Sequence, residues 1–296
     1  MIGLCCQYIE NNKNMFEEKS LQFGQYKKNK YSKQTILETW ISNIKNVQKV
    51  LPKLKAKGYS VFRLSSNLFS LFDQEKELLE SFEIKRILKE IGEYVISNNI
   101  RLTTHPDQFV VLSSKDDNVV NNSLLILEHH SWIFDSMNLP TTPYYSINIH
   151  GGAGNQTDRL LKGIEKLSDN CRQRLTLEND EISYFVDDLY EVYKRSNIPI
   201  CFDSHHHSFN GRQSIDEALD KSMSTWTVKP LTHLSNSYPQ FVNSTFQNKR
   251  KHSDMVHYIP DCQLEANNNN KIDIDFEFKL KNIAIEKAAK DFGIII

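Results

Sequence analysis

The chain has 296 residues, 39% of them hydrophobic and 25% charged, with a formal net charge of −1. That length suits one large barrel or two ordinary domains, and the composition is that of a globular protein rather than a disordered or fibrous one. No apolar run approaches the roughly 20 residues that span a bilayer, and near-neutrality excludes a grip on nucleic acid by bulk positive charge alone.

In chain order, Ile2 to Cys6 reads as a first strand rather than a basic leader. A loop with Lys27, Lys28, Lys30 and Lys33 follows, and Ser32-Lys33-Gln34-Thr35 opens a helix carrying Ile36, Leu37, Trp40, Ile41, Ile44 and Val47 at helical spacing. Gly58 punctuates before strand two, Tyr59 to Leu64. Helical patterns over Lys85 to Ser97 and Asn121 to Met137 precede strands at Ile100 and at Tyr145 to Ile149. Asp187 to Ser196 and Ile215 to Met223 precede strands six and seven. Asp261 to Leu264 is expected to be strand eight, the polar run Asn267 to Asn270 to close the barrel after it, and Phe276 to Phe292 to form a last helix. Single apolar strands alternating with helices favour a parallel sheet. Without a linker rich in Pro, Gly or Ser, the expectation is one domain over 1–296, with barrel strands in 1–266 and a helical segment in 267–296.

Acids or histidines end the short apolar runs at a near-constant interval. His105, His150, Glu178, Asp203, His233 and Glu265 are separated by 45, 28, 25, 30 and 32 residues. A (β/α)8 (TIM) barrel of about 250 residues needs roughly 31 per unit and gathers its strand C-termini in one mouth. The expected fold is therefore a TIM barrel of parallel strands with a metal site at its C-terminal mouth. Three divalent ions would make that mouth locally cationic despite the chain's overall charge.

Local motifs sharpen this. In Asp203-Ser204-His205-His206-His207 a strand-end aspartate is followed by histidines that can serve neighbouring ions. Leu177-Glu178-Asn179-Asp180 ends a strand with a carboxylate able to bridge two cations. His105-Pro106-Asp107-Gln108-Phe109 and His150-Gly151-Gly152 each place a histidine before a turning loop, where the glycines allow close backbone approach. His252 lies beyond strand seven and needs a loop to reach the mouth. The adjacent Lys249-Arg250-Lys251 is either a solvated charge run or a set of phosphodiester contacts. His129, His130 and His257 are read as structural. Histidine and carboxylate without thiolate suits Zn(II) or Mn(II), ions that activate water and support displacement at phosphorus. The five cysteines form no zinc-type pair, and their odd number points to free thiols in a reducing, intracellular compartment.

At these residues the sequence resembles the UV damage endonuclease family, metal-dependent barrel nucleases related in fold to endonuclease IV. The resemblance runs from strand two to Glu265. It rests on His105-Pro-x-Gln, His150-Gly-Gly, Leu177 to Glu181, Asp203 to Asn210, Pro230-x-x-His233, Lys251-His252-Ser253-Asp254 and Glu265-Ala266. It implies up to three divalent ions, Mn(II) first with Zn(II) or Mg(II) as alternatives, held by His105, His150, Glu178, Asp203, His206, His233, His252 and Glu265. Glu178 and Asp203 would bridge, and catalysis would rest on Glu178, Asp203 and Glu265.

The implied substrate is double-stranded DNA containing UV lesions. The backbone would be hydrolysed 5′ to a pyrimidine photoproduct, leaving a 3′-hydroxyl, with abasic sites as secondary substrates. Gln108 and Phe109 match the pair that probes the lesion, with Phe where the family commonly has Tyr. Lys249, Arg250 and Lys251 join them as DNA contacts. The chain departs from the family at Leu231, where a modified lysine is usual. Lys229 sits one layer lower and is not expected to substitute. Cys5-Cys6 replaces an N-terminal Gly-Tyr pattern. The expected state is a monomer without membrane association. An AP-endonuclease-like nuclease and a metal-dependent sugar isomerase or epimerase on the same barrel are the alternatives.

Overall fold

The computed structural model describes residues 1–11, 13–15, 18–154 and 156–296. Eight strands close into a barrel: β1 (Ile2–Cys5), β2 (Val61–Leu64), β3 (Arg101–Thr104), β4 (Ile147–His150), β5 (Leu175–Glu178), β6 (Ile200–Asp203), β7 (Leu231–Leu234) and β8 (Asp273–Phe276). Every neighbouring pair is parallel, and β1 closes the ring by pairing with both β2 and β8. The expected (β/α)8 architecture is the observed one.

Helices α1 (Lys33–Ala56), α2 (Phe82–Ser97), α3 (Asp117–Ser136), α4 (Thr157–Glu165), α5 (Asp169–Arg174) and α6 (Val186–Ser196) cover the first half of the barrel and β5. The side chain of Ser32 accepts the Thr35 N–H at 3.1 Å and so starts α1 where the sequence signals it. Ile36, Trp40, Ile44, Val47 and Leu51 then bury one stripe of α1 against the barrel. The later helices are α7 (Ser204–Asn210), α8 (Ile215–Met223), the four-residue α9 (Phe246–Lys249), α10 (Asp261–Asn268) and α11 (Lys281–Phe292).

The eighth strand corrects the sequence reading. Asp261 to Leu264 is helical, within α10, and Asn267 to Asn270 precedes the last strand rather than following it. Barrel strands therefore extend to Phe276, past the expected boundary at 266. The cause is visible in Asp273-Ile274-Asp275-Phe276. Ile274 and Phe276 join the apolar core, whereas Asp273 and Asp275 are fully buried with arginine partners from other strands. Asp273 takes Arg101 Nη1 at 3.0 Å, and Asp275 takes Arg63 Nε at 2.8 Å. Two aspartates in four residues hide a strand from any reading that counts apolar runs. Unpaired, either would carry a desolvation cost of several kcal/mol.

Candidate metal centre

Strand ends deliver the side chains to one place. Glu178, the last residue of β5, is 1% exposed. Its Oε2 lies 3.0 Å from His105 Nε2 and 3.0 Å from His233 Nδ1, and its Oε1 lies 3.7 Å from His206 Nε2. The Asn148 amide, two residues before the end of β4, donates to the same Oε2. Two groups of ligand atoms mutually within 4.8 Å share this carboxylate: His105, His150 and Glu178, and Glu178, Asp203, His233 and Glu277. A carboxylate common to two ligand sets is what bridging two cations requires.

The histidines are oriented from behind. His105 Nδ1 is 3.0 Å from the Pro106 carbonyl, and its Nε2 faces Glu178. His252 Nδ1 is 3.0 Å from the Glu277 carbonyl. His206 Nδ1 lies 2.7 Å from Glu181 Oε2. The two carbonyl acceptors fix their rings and direct the other nitrogen inward, and Glu181 holds His206 as an ion pair. His150 packs edge-on against His206 with ring centroids 5.2 Å apart and lies 5.2 Å from the His105 ring. Of the triplet, His206 turns to the centre, His207 turns to the Gln213 carbonyl at 3.2 Å, and His205 packs edge-on to His252 at 5.7 Å.

The donor set suits divalent cations. Asp203 Oδ2 and His150 Nδ1 are buried with no hydrogen-bond partner among the described residues, a state that is costly unless something else coordinates them. Electrostatics agrees. Burial would raise the Glu178 carboxyl, but charge on His233 and His150 and hydrogen bonds from His105 and His233 outweigh it and hold the acid well below its usual range. Burial opposes charge on His206, yet Asp203, Glu181 and Glu178 push it up to about 10. Burial depresses His150, and it lowers His205 to about 4. A proton on His206 thus supplies positive charge that a metal would supply instead.

Glu265 does not reach this cluster. It lies exposed on α10, and the acid one residue beyond β8 is Glu277. His252 stands at the edge, its Nδ1 3.7 Å from Glu277 Oε2. Gln108, Arg250, His150 and His206 line one open cavity of about 290 Å³, while Phe109 is 72% exposed beside a second cavity. Lys251 lines a third with His252, Glu277, Lys279 and Lys281, so part of the basic run does face the mouth. The glycines after His150 serve packing: a Cβ on Gly151 would meet the Tyr184 ring at 2.4 Å, and Gly152 has φ +92°. His129 is buried and stacked on Phe72 with ring centroids 3.8 Å apart.

A family model described as UV-endonuclease UvdE matches residues 1–294. The chain belongs to that family. It is 34% identical over 261 residues to the UV DNA damage endonuclease of Nostoc sp., covering 85% of this chain and 78% of that protein. A crystal structure of SacUVDE superposes with a TM-score of 0.82 at 25% identity, covering 99% of both chains. An L-ribulose 3-epimerase superposes with a TM-score of 0.55 at 12% identity, covering 85% of this chain and 82% of that one, a likeness of fold alone.

The departure at Leu231 and the nearby Lys229 have clear places. Leu231 is buried with Val61 and Cys201. Lys229 Nζ sits 2.7 Å from Asp273 Oδ1 at the start of β8, away from the ligand cluster. Sequence reasoning missed three buried or half-buried charges: Glu277, Glu181 and Arg63. Arg63 Nη2 lies 2.8 Å from His233 Nε2 and pairs with Glu277, which braces two candidate ligands from below. The signal for Arg63 was a lone arginine in an apolar strand, Val61-Phe62-Arg63-Leu64.

Proposed function

We propose that this chain is a DNA repair endonuclease that hydrolyses the phosphodiester bond 5′ to UV photoproducts, with abasic sites as secondary substrates. The observation that carries the reading is Glu178, buried and common to both ligand groups at the C-terminal ends of the barrel strands. His105, His150, Glu178, Asp203, His206, His233, His252 and Glu277 would hold up to three divalent ions, Mn(II) first, with Zn(II) or Mg(II) as alternatives. Glu277 takes the place first given to Glu265, and catalysis rests on Glu178, Asp203 and Glu277. Bound there, such ions lower the pKa of a water and offset charge on phosphate oxygens.

The protein's own part is to orient and to select. Asn148, Arg63 and the carbonyls of Pro106 and Glu277 hold the ligand side chains in place. Exposed Phe109 stacks on the damaged step, which costs less to unstack than intact duplex. Gln108, Lys249, Arg250 and Lys251 contact the backbone around it. The enzyme works as a monomer in a reducing compartment; its five cysteines are free, and no helix among the described residues is long and apolar enough to cross a membrane.

Incubation with Mn(II) and irradiated or undamaged plasmid tests the reading. Nicking confined to irradiated DNA is expected, and nicking of neither would overturn it. The sugar isomerase alternative has only the shared barrel in its favour. An aromatic residue 72% exposed at an open rim is poorly matched to a small sugar that needs enclosure.

A further inference from the structure

One ion pair in the cleft joins a buried acid to a DNA-facing loop. Glu181 follows β5 by three residues and is 5% exposed. Its Oε1 pairs with Arg250 Nε, and its Oε2 lies 2.7 Å from His206 Nδ1. Arg250 stands just beyond α9, in the long connection between β7 and α10. Its neighbours behave differently. Lys251 Nζ donates to Asn248 Oδ1 at 2.8 Å, and Lys249 is half-buried at the end of α9. Only Arg250 of the three lines the cavity shared by His150, His206 and Gln108.

An arginine on an exposed loop ordinarily samples many rotamers, and ordering it on binding costs free energy. Here an ion pair with a buried carboxylate restricts it. Pairing through Nε leaves the terminal amino groups of the guanidinium to address an anion, and a planar fork suits phosphate. The pair also ties the loop to a candidate metal ligand, so the fork is held at a set place relative to the reacting centre.

We propose that Glu181 is a positioning residue that clamps Arg250 at the edge of the metal-ligand cluster, making Arg250 the cationic contact to the phosphate being cleaved. The proposal rests on the nuclease reading above. It separates Arg250, which acts on charge developing at phosphorus, from Lys249 and Lys251, which add affinity along the backbone.

The test uses the full chain loaded with Mn(II) and a duplex carrying one site-specific photoproduct. Single-turnover rate, duplex affinity and Mn(II) affinity are measured for E181Q, R250A, R250K and the E181Q/R250A double variant. Each single variant should lose about a hundredfold in rate while duplex affinity changes only a few-fold, and R250K should not restore the rate. The double variant should be no slower than R250A, because the two residues act as one unit. Lys251→Ala should instead weaken binding and reduce the salt slope by about one.

Multiplicative losses in the double variant would overturn the proposal, as would an R250A enzyme as fast as wild type. A fall in Mn(II) affinity that by itself accounts for E181Q would also overturn it, since Glu181 would then serve His206 alone. Wild-type protein that leaves irradiated duplex intact would sink the nuclease reading itself, a result distinct from these.

Discussion

Asp203 Oδ1 accepts the backbone N–H of His206 at 2.7 Å, so one carboxylate oxygen both ends β6 and caps α7. The other oxygen, Oδ2, is buried and has no hydrogen-bond partner among the described residues. The two roles can be separated. Asp203→Asn keeps a cap acceptor of about equal quality and removes the charge, whereas Asp203→Ala removes both. Without metal, Asn should melt close to wild type and Ala should lose about 1 kcal/mol more. Both should lose Mn(II) binding. Thermal melts with and without Mn(II) check this, and an Asn variant that binds Mn(II) as wild type does would exclude Asp203 as a ligand.

Glu178→Gln should abolish incision while leaving lesion binding largely intact, because the charge serves the ions rather than the duplex. Loss of an outer-shell partner costs about 10–100-fold, so loss of the shared ligand should exceed that. Gel-shift affinity and nicking rate measured on the same duplex make the comparison. Residual incision within tenfold of wild type would refute the bridging role.

Metal binding should release protons. His206, pushed up to about 10, carries a proton at neutral pH. A ligating imidazole must be free of its inward-facing proton. A group whose folded pKa is raised stabilises the metal-free fold fully below about 6.5. That contribution is lost as pH rises through the folded value, about 10 for His206. Apparent Mn(II) affinity should therefore increase from pH 6 toward pH 9. Calorimetry in two buffers of different ionisation enthalpy counts the protons, and a count of zero would contradict the assignment of His206.

Much of this site was legible because strand ends in a parallel barrel converge and because histidine and acid after an apolar run are conspicuous. Seven of the eight expected ligand residues lie in or at the edge of the cluster for that reason. The eighth failed on a spacing argument. Glu265 follows His233 by 32 residues, close to the mean, but the connection carrying α9 and α10 lengthens the last unit and moves β8 to Asp273–Phe276. Glu277 was hidden because Asp273 and Asp275 broke the apolar run before it. Arg63 stood out only as a lone arginine in an apolar strand, and neither its role nor that of Glu181 could be read, since each depends on a partner far away in the chain: Asp275 for one, Arg250 for the other.

Phe109 offers the sharpest separation of recognition from chemistry. Its ring is 72% exposed in the loop after β3, beside Gln108. Truncation should thus alter stability by no more than about 0.5 kcal/mol, the usual range for surface sites. A base stacked on an aromatic ring is worth about 1–3 kcal/mol, so Phe109→Ala should bring the ratio of damaged to intact duplex affinity down by about tenfold. Phe109→Tyr keeps the stacking face and should preserve that ratio. Incision at saturating lesion duplex should change less than affinity does, because the ring lies outside both ligand groups. Competition binding with photoproduct and undamaged duplexes measures the ratio, and an alanine variant as selective as wild type would remove Phe109 from lesion recognition.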